Sequence, residues 1–202
     1  SYGGTGKELG QFFTPTKLIN GIKGGCNLNE KYNLSNNSSL YDPCVGSAGI
    51  LNNIYQDSEN NINELYGVEI AEDTIKWAYQ SLLITTGEIP KNLTLGDSIV
   101  NIPKADCNIF TNCPFDIRMN YKKENDDFDI KVKEQSLDLH FIDMYPIKIN
   151  DVEALFLQHC VYNLGDNCTC AIVLPYGKLF ESKEKRFLEF RKWLINSVDI
   201  TE

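Results

Sequence analysis

The chain has 202 residues, of which 42% are hydrophobic and 23% are charged, as is ordinary for one soluble globular domain. It has no apolar run near the roughly 20 residues that a membrane-spanning helix needs, and its first residues lack the features of a secretory signal. The net charge of −9 argues against a domain that holds nucleic acid by itself, because such affinity depends on Lys and Arg neutralising phosphates.

The seven cysteines are not expected to form a disulfide framework. Their number is odd, no export signal is present, and no pair has the CxxC spacing of a zinc site. We therefore expect free thiols in a reducing compartment, the cytoplasm, and no metal site. The first residue is Ser1 rather than Met, so we also expect a fragment cut from a longer protein.

Strand and helix patterns alternate along the chain. Pro15 is placed to open the first helix, and Gly87 to cap a later one. The predicted elements, in chain order, are a helix over residues 17–22, a strand over 39–42, a helix over 50–56, a strand over 64–70, a helix over 71–86, strands over 93–95 and 107–111, a helix over 151–164, a strand over 170–174 and a helix over 183–195. Residues 116–150 are polar with many charges, so we expect either a long functional loop or a partly disordered chain there.

This alternation predicts an α/β domain with a mainly parallel sheet flanked by helices. Four polar residues, Asp42, Glu69, Asp97 and Asn112, each close one of the predicted strands. Ligands of such sheets bind outside the carboxyl ends of the strands. The sequence therefore predicts a binding site at that edge of the sheet.

Small residues fill the strand-to-helix turn over residues 42–49, where Gly46 and Gly49 let the backbone approach a ligand closely. A tight structural turn would account for the glycines but not for Glu69. That acid lies about twenty residues further on, the spacing at which a carboxylate accepts both hydroxyls of a ribose. Asp97 is placed to accept from an adenine amine. Together these residues fit a nucleoside cofactor, and the short loop suits S-adenosylmethionine better than NAD.

Residues 112–115, Asn-Cys-Pro-Phe, suggest chemistry on a base. An adenine amine is a poor nucleophile because its lone pair is delocalised into the ring. The Asn112 side-chain oxygen and a nearby backbone carbonyl would accept its two hydrogens and raise the electron density on the nitrogen. Phe115 would stack on a base flipped out of the duplex.

These segments resemble those of the modification subunit of Type I restriction-modification systems, a family of amino-methyltransferases, and the match covers nearly the whole chain. Residues 10–15, Gly-Gln-Phe-Phe-Thr-Pro, resemble the family segment that lines the methionine end of the cofactor. Residues 42–49 resemble its Asp-Pro-x-x-Gly loop, and residues 112–115 its Asn-Pro-Pro-Phe motif. Residues 154–159 and 171–180 match a later helix and strand.

The resemblance implies a Rossmann-like S-adenosylmethionine-dependent methyltransferase fold, with one catalytic domain over residues 1–202 that stops before its last strands. It implies site-specific methylation of adenine N6 in DNA, as in restriction-modification. The implied catalytic residues are Asn112, Cys113, Pro114 and Phe115. The implied cofactor-binding residues are Gln11, Phe12, Phe13, Thr14, Pro15, Asp42, Gly46, Ser47, Ala48, Gly49, Glu69, Ile70 and Asp97. The implied partners are double-stranded DNA, a DNA specificity subunit and a restriction nuclease subunit.

Two departures from the family pattern bear on activity. Cys113 replaces the first Pro of the catalytic motif; the family uses that residue through its backbone carbonyl, so Cys can serve with a less rigid turn. Ala48 stands where many members have Gly, and its small size predicts no harm. Three alternatives stay open: a degenerate fold that binds S-adenosylmethionine or a partner without turnover, a cytosine C5-methyltransferase with a Cys nucleophile, and methylation of protein glutamine amides.

Other polar groups are interpreted as structural. His159 lies on a mostly apolar helix and is expected to be a core histidine rather than a base, and His140 has no visible partner. Three basic residues follow the catalytic tetrapeptide, Arg118, Lys122 and Lys123; they could touch a phosphate, and a solvated loop explains them equally well. A basic helix face could meet DNA or a partner, although charged exposed helix faces are common; it comprises Lys183, Lys185, Arg186, Arg191 and Lys192.

Overall fold

The computed structural model describes residues 14–25, 38–58, 62–99, 106–115, 144–149 and 151–200. The predicted cofactor segment is therefore described only from Thr14 onward. Several residues singled out in the sequence lie outside the described residues, namely Gln11, Phe12, Phe13, Arg118, Lys122, Lys123 and His140.

Five strands form one sheet in which every pair is parallel. In chain order they are β1 (Ser38–Asp42), β2 (Ile62–Glu69), β3 (Asn92–Leu95), β4 (Asn108–Asn112) and β5 (Cys170–Val173). Their spatial order is β3-β2-β1-β4-β5. The predicted α/β class and parallel sheet are confirmed, and each predicted strand lies within two residues of an observed one at either end.

The strand order reverses between β1 and β4. From β1 the chain moves outward to β2 and β3, then crosses back to β4 and β5 on the other side. In the register of β1 and β4, Leu40 pairs with Asn108 and Tyr41 with Ile109, whereas β4 continues to Asn112. The ends of the two strands therefore run beyond their mutual pairing, at the point where ligands bind in sheets of this kind.

Six helices are present in the described part of the chain. α1 to α3 pack on one face of the sheet around Leu40 and Phe110, and α4 packs on the other face around Tyr41 and Ile109. Along β1, neighbouring side chains point to opposite faces, which explains this division. The helices are α1 (Thr16–Gly25), α2 (Gly49–Asp57), α3 (Glu72–Thr86), α4 (Val152–Asn163), α5 (Lys178–Glu181) and α6 (Lys185–Ser197).

The helix ends agree with the sequence in one case and differ in another. α3 ends at Gly87, which has a φ of 75° and donates its N–H to the Leu83 carbonyl at 2.9 Å, as predicted for a glycine cap. The predicted helix over 183–195 begins only at Lys185, and α5 precedes it. A single helical turn is too short to show a 3.6-residue period, so α5 was missed.

His159 is a core histidine, as predicted. It is fully buried on α4, and its Nε2 lies 2.8 Å from the Tyr41 hydroxyl. Burial lowers the pKa of His159 from 6.5 to about 3, so the ring stays neutral at physiological pH. The Tyr145 hydroxyl, 3.5 Å from Nδ1, donates to the Ile99 carbonyl at 3.0 Å. These bonds tie α4 to the sheet and to the loop after β3.

The six cysteines that the structure describes form no disulfide with one another. Within the described ranges, no cluster of three or more His, Cys, Asp or Glu side chains could bind a metal ion. None of the helices described has the length and apolar character that crossing a membrane requires.

Candidate functional site

Asp42, the last residue of β1, is a buried acid whose Oδ1 accepts two hydrogen bonds. The Cys44 N–H donates to it at 2.9 Å and the Thr111 hydroxyl at 2.6 Å. Burial raises the pKa of Asp42 to about 7, an effect that the nearby charge of Glu69 adds to and the two hydrogen bonds oppose. The carboxylate would be stabilised by a bound cation, because an opposite charge favours ionisation.

The loop between β1 and α2 is held against β2. The Val45 N–H donates to the Val68 carbonyl at 3.0 Å, and the Ala48 N–H donates to the Val45 carbonyl at 2.8 Å. Gly46 has a φ of 54° and Ala48 a φ of 65°, so both adopt the left-handed conformation. The loop therefore turns sharply at these two residues.

Ala48 was predicted to be harmless, and the structure shows why glycine suits the position better. Its side chain fits, since it is fully buried between the sheet and α2. Its left-handed backbone, however, costs an L-residue about 1–2 kcal/mol. The strain comes from the backbone conformation and not from the volume, which size alone did not reveal.

Glu69 ends β2 and faces the same loop. Its Oε2 accepts the Gly46 N–H at 3.1 Å, and its Oε1 accepts the Ala71 N–H at 2.8 Å. Each carboxylate oxygen can accept a second hydrogen bond, so both remain available to hydroxyl donors. Ile70, the next residue, is 55% exposed and offers an apolar surface beside the carboxylate.

Gly67 on β2 contributes to the site and was not among the predicted residues. A Cβ at this position would lie 2.8 Å from Leu93 Cδ2 and 2.9 Å from the Val45 side chain. Only a glycine lets the loop residue Val45 approach the strand this closely. A lone glycine within a strand pattern indicates a bulge or a close backbone approach, and that signal was available.

Asp97 lies two residues after the end of β3, at the same edge of the sheet. Its Oδ1 accepts the Ile99 N–H at 2.9 Å, a bond that closes a short turn. Burial raises the pKa of Asp97 above its ordinary value. The backbone of the preceding Gly96 donates to the Glu69 carbonyl at 2.8 Å, so the turn is joined to the end of β2.

Asn112 ends β4, and no described residue donates a hydrogen bond to its side-chain oxygen. Its Nδ2 donates to the Thr14 hydroxyl at 3.3 Å, which brings Thr14 to the carboxyl end of β4. Its Oδ1 is closed to solvent and accepts no hydrogen bond from any described residue. An unpaired buried oxygen costs about 1–3 kcal/mol, so a donor from a ligand would be well bound there.

The rest of the tetrapeptide divides between core and surface. The Cys113 side chain is buried among Ile99 and Tyr145, with its sulfur 3.5 Å from the Thr111 hydroxyl. Pro114 is half-buried, and Phe115 is 42% exposed at the carboxyl edge. The thiol of Cys113 therefore points into the protein, whereas the Phe115 ring remains available to a ligand.

The remaining predicted cofactor residues lie around the same edge. Ser47 is half-buried in the loop, and Gly49 is the first residue of α2, where a Cβ would lie 3.7 Å from Ile19 of α1. Pro15 is exposed, and its carbonyl accepts the Leu18 N–H at 2.8 Å in the first turn of α1. The structure thus brings the described predicted residues to one edge, around the β1–β4 crevice.

The basic helix face is largely paired within the protein. Arg191 donates to the carbonyls of Leu179 and Ser182 at 2.8 and 2.7 Å, and so holds α5 against α6. Lys185 and Arg186 pair with neighbouring glutamates. These contacts support the structural interpretation over a DNA contact for these three side chains.

A model of the N-6 DNA methylase family matches residues 3–201 of the chain. Among solved structures, the methyltransferase subunit of a type I restriction-modification system from Streptococcus thermophilus is 23% identical with a TM-score of 0.66; the match covers 92% of this chain and 39% of that one. A protein from Listeria monocytogenes, assigned as a class I S-adenosylmethionine-dependent methyltransferase, is 15% identical with a TM-score of 0.66; that match covers 93% of this chain and 53% of the other. No curated protein shows a significant match. The predicted methyltransferase fold is confirmed, and the chain spans about half or less of these solved relatives.

Proposed function

The chain belongs to the N-6 DNA methylase family, and we propose that it is the catalytic core of an S-adenosylmethionine-dependent methyltransferase acting on the exocyclic amine of adenine in DNA. One observation carries this proposal. The Asn112 oxygen, at the carboxyl end of β4, is a buried acceptor without a donor among the described residues. It stands across the β1–β4 crevice from the loop and acid that suit a nucleoside.

The residues around the crevice fit this cofactor. The two free acceptor positions of the Glu69 carboxylate suit the two ribose hydroxyls, and the exposed Ile70 suits one face of the adenine ring. Asp97 would accept from the cofactor's adenine amine. A cationic ligand would favour the ionised form of the buried Asp42 carboxyl, whose pKa is raised by burial to about 7. When bound, S-adenosylmethionine supplies an electrophilic methyl group on sulfur.

Asn112 and its neighbours would bind and orient the target base. The Asn112 oxygen accepts a hydrogen from the adenine amine, and the Cys113 or Pro114 carbonyl accepts the other. Phe115 covers one face of the flipped ring. These contacts concentrate electron density on the nitrogen and aim it at the methyl group, so positioning and electrostatics lower the barrier. Methyl transfer needs no histidine base, because the amine loses its proton after the new bond forms.

The buried Cys113 argues against the cytosine C5 alternative. Covalent catalysis needs an accessible, activated thiolate. The Cys113 side chain is only 2% exposed and contacts the Thr111 hydroxyl. The proposed reaction uses the backbone carbonyl at this position rather than the thiol.

We further propose that the chain acts on double-stranded DNA together with a DNA specificity subunit, and with a nuclease subunit in a complete restriction-modification system. The resemblance to type I modification subunits supports this assembly, as does the net charge of −9. An acidic protein binds phosphates weakly, so the specificity subunit would supply most of the affinity for DNA. Salt-dependent DNA affinity that rises strongly when a specificity subunit is added would support the arrangement.

The decisive experiment identifies the atom that receives the methyl group. The protein is incubated with S-adenosylmethionine labelled in the methyl group and with double-stranded DNA, and the DNA is then hydrolysed to nucleosides. Label in N6-methyladenine is expected. Label in methylcytosine, or in protein glutamine when protein is offered, would overturn the proposal. Cofactor binding without any transfer would favour the degenerate alternative.

A further inference from the structure

Thr111 links the two strands that border the crevice. It lies on β4 directly before Asn112 and is fully buried. Its hydroxyl donates to Asp42 Oδ1 at 2.6 Å and lies 3.5 Å from the Cys113 sulfur. The Thr111 side chain thus contacts the last residue of β1 on one side and the tetrapeptide over residues 112–115 on the other.

The position of this bond along the sheet is informative. The pairing of β1 with β4 stops at Tyr41 and Ile109. Asp42 lies one residue past that pair and Thr111 two residues past it. The side-chain bond therefore joins the strands where they extend into the crevice, and it does so at the level of the proposed site.

The rate of methyl transfer depends strongly on the separation between the ends of β1 and β4. The reacting atoms must approach to about 3–3.5 Å in line, and a misplacement of about 1 Å costs roughly a hundredfold in rate. Asp42, at the end of β1, lies on the side of the crevice that would hold the cofactor, and Asn112, at the end of β4, lies on the side that would hold the base. A short hydrogen bond to a buried acid strongly constrains the distance between these two strand ends.

We propose that Thr111 is a positioning residue. Through its hydrogen bond to Asp42, it holds β1, which ends at Asp42, and β4, which ends at Asn112, at the separation that methyl transfer needs. This inference rests on the proposed function. Thr111 touches neither substrate in it; the hydroxyl acts by fixing Asp42 for the cofactor and the end of β4 for the base.

The test compares Thr111→Val, which keeps the shape and removes the hydroxyl, with Thr111→Ser, which keeps the hydroxyl. Two quantities are measured: the Kd of S-adenosylmethionine by calorimetry, and the rate of a single methyl transfer to adenine DNA at saturating cofactor. For Thr111→Val we expect the Kd to rise about tenfold, as the loss of one buried hydrogen bond would produce. The transfer rate should fall about tenfold or more even when the cofactor site is full. Thr111→Ser should restore both.

Wild-type values in Thr111→Val would overturn the proposal. So would equal impairment of the Val and Ser variants, since that would mean that packing, rather than the hydroxyl, matters. If Thr111→Val does not fold, Thr111→Cys replaces it; its weak S–H donor should give intermediate values, and a wild-type Kd would again overturn the inference. A protein that binds S-adenosylmethionine but never methylates adenine would contradict the proposed function, while the Kd comparison would still decide the case of Thr111.

Discussion

The Gly46 N–H donates a hydrogen bond of 3.1 Å to Glu69 Oε2, and this bond joins the glycine loop after β1 to the acid that ends β2. The second oxygen of Glu69 is held by the Ala71 N–H at 2.8 Å, at the start of α3. The carboxylate is therefore fixed by backbone donors before any ligand arrives. A carboxylate held in this way loses little conformational entropy on binding a nucleoside.

Replacing Glu69 with alanine should weaken cofactor binding severely. Two hydrogen bonds from ribose hydroxyls to a charged acceptor would be lost, and each contributes about 1.5–3 kcal/mol, so the Kd should rise at least about a hundredfold. Calorimetric titration of S-adenosylmethionine measures this directly. Glu64→Ala is the matched control, because Glu64 lies on the same strand but is exposed and bonded to the Tyr66 hydroxyl. Equal affinities in the two variants would refute the assignment of Glu69.

Gly67→Ala should disturb the packing of the loop between β1 and α2 against β2. The new methyl group would meet Leu93 and Val45 at under 3 Å, and overpacking of this kind costs about 1–3 kcal/mol. Thermal or urea unfolding should show that loss. Because Val45 would be pushed toward the crevice, the Kd of S-adenosylmethionine should also rise by about threefold or more.

The control for this variant is Gly21→Ala on α1. A Cβ at Gly21 would meet nothing within 4 Å, and alanine in a helix is more favourable than glycine by up to about 1 kcal/mol. Stability should therefore stay level or increase, with cofactor affinity unchanged. A Gly67→Ala protein as stable as the wild type would show that the strand and loop can separate without cost.

Asp42→Asn should change how stability depends on pH. The pKa of Asp42 is raised from 3.8 to about 7, so between about pH 4 and 7 the folded state binds a proton that the unfolded state has released. The free energy of unfolding therefore loses about 1.4 kcal/mol per pH unit as pH rises through this window. Asparagine keeps an acceptor oxygen for Cys44 and Thr111 and has no proton to release.

The titration of His159 has the opposite effect on how the free energy of unfolding depends on pH. Its pKa is lowered from 6.5 to about 3, so between these values the unfolded state binds the extra proton and stability rises with pH. In the wild type the two slopes oppose each other from about pH 4 to 6.5. Relative to the wild type, Asp42→Asn should gain about 1.4 kcal/mol per pH unit from pH 4 to 7 and then level off, as measured by urea unfolding. Parallel stability curves for the two proteins would contradict the raised pKa of Asp42.

Sequence reasoning predicted the positions of the polar strand-end residues better than the contacts in the interior that support them. Asp42, Glu69 and Asn112 were predicted from strand ends, and each is the last residue of its strand. Polar residues after apolar strands are a local signal, and parallel strands bring their carboxyl ends to one edge. The roles assigned to these side chains remain predictions.

The missed features depend on contacts between distant segments. Thr111 looks like any β-branched strand residue, and only the strand order reveals that it faces Asp42, 69 positions away. The close approach of Val45 to Gly67 likewise exists only once the loop folds over β2. The strain at Ala48 is a matter of backbone dihedral angles, which residue size does not disclose.

The most direct test of the account replaces Asn112. Asn112→Ala should lower adenine methylation by roughly a hundredfold or more, as removal of a preorganised polar contact to a reacting group does, while the Kd of S-adenosylmethionine stays within about threefold. Asn112→Asp, which keeps an acceptor but loses the donor to Thr14, should retain more activity than the alanine variant. Transfer at the wild-type rate by Asn112→Ala would contradict the claim that this buried oxygen binds the target amine.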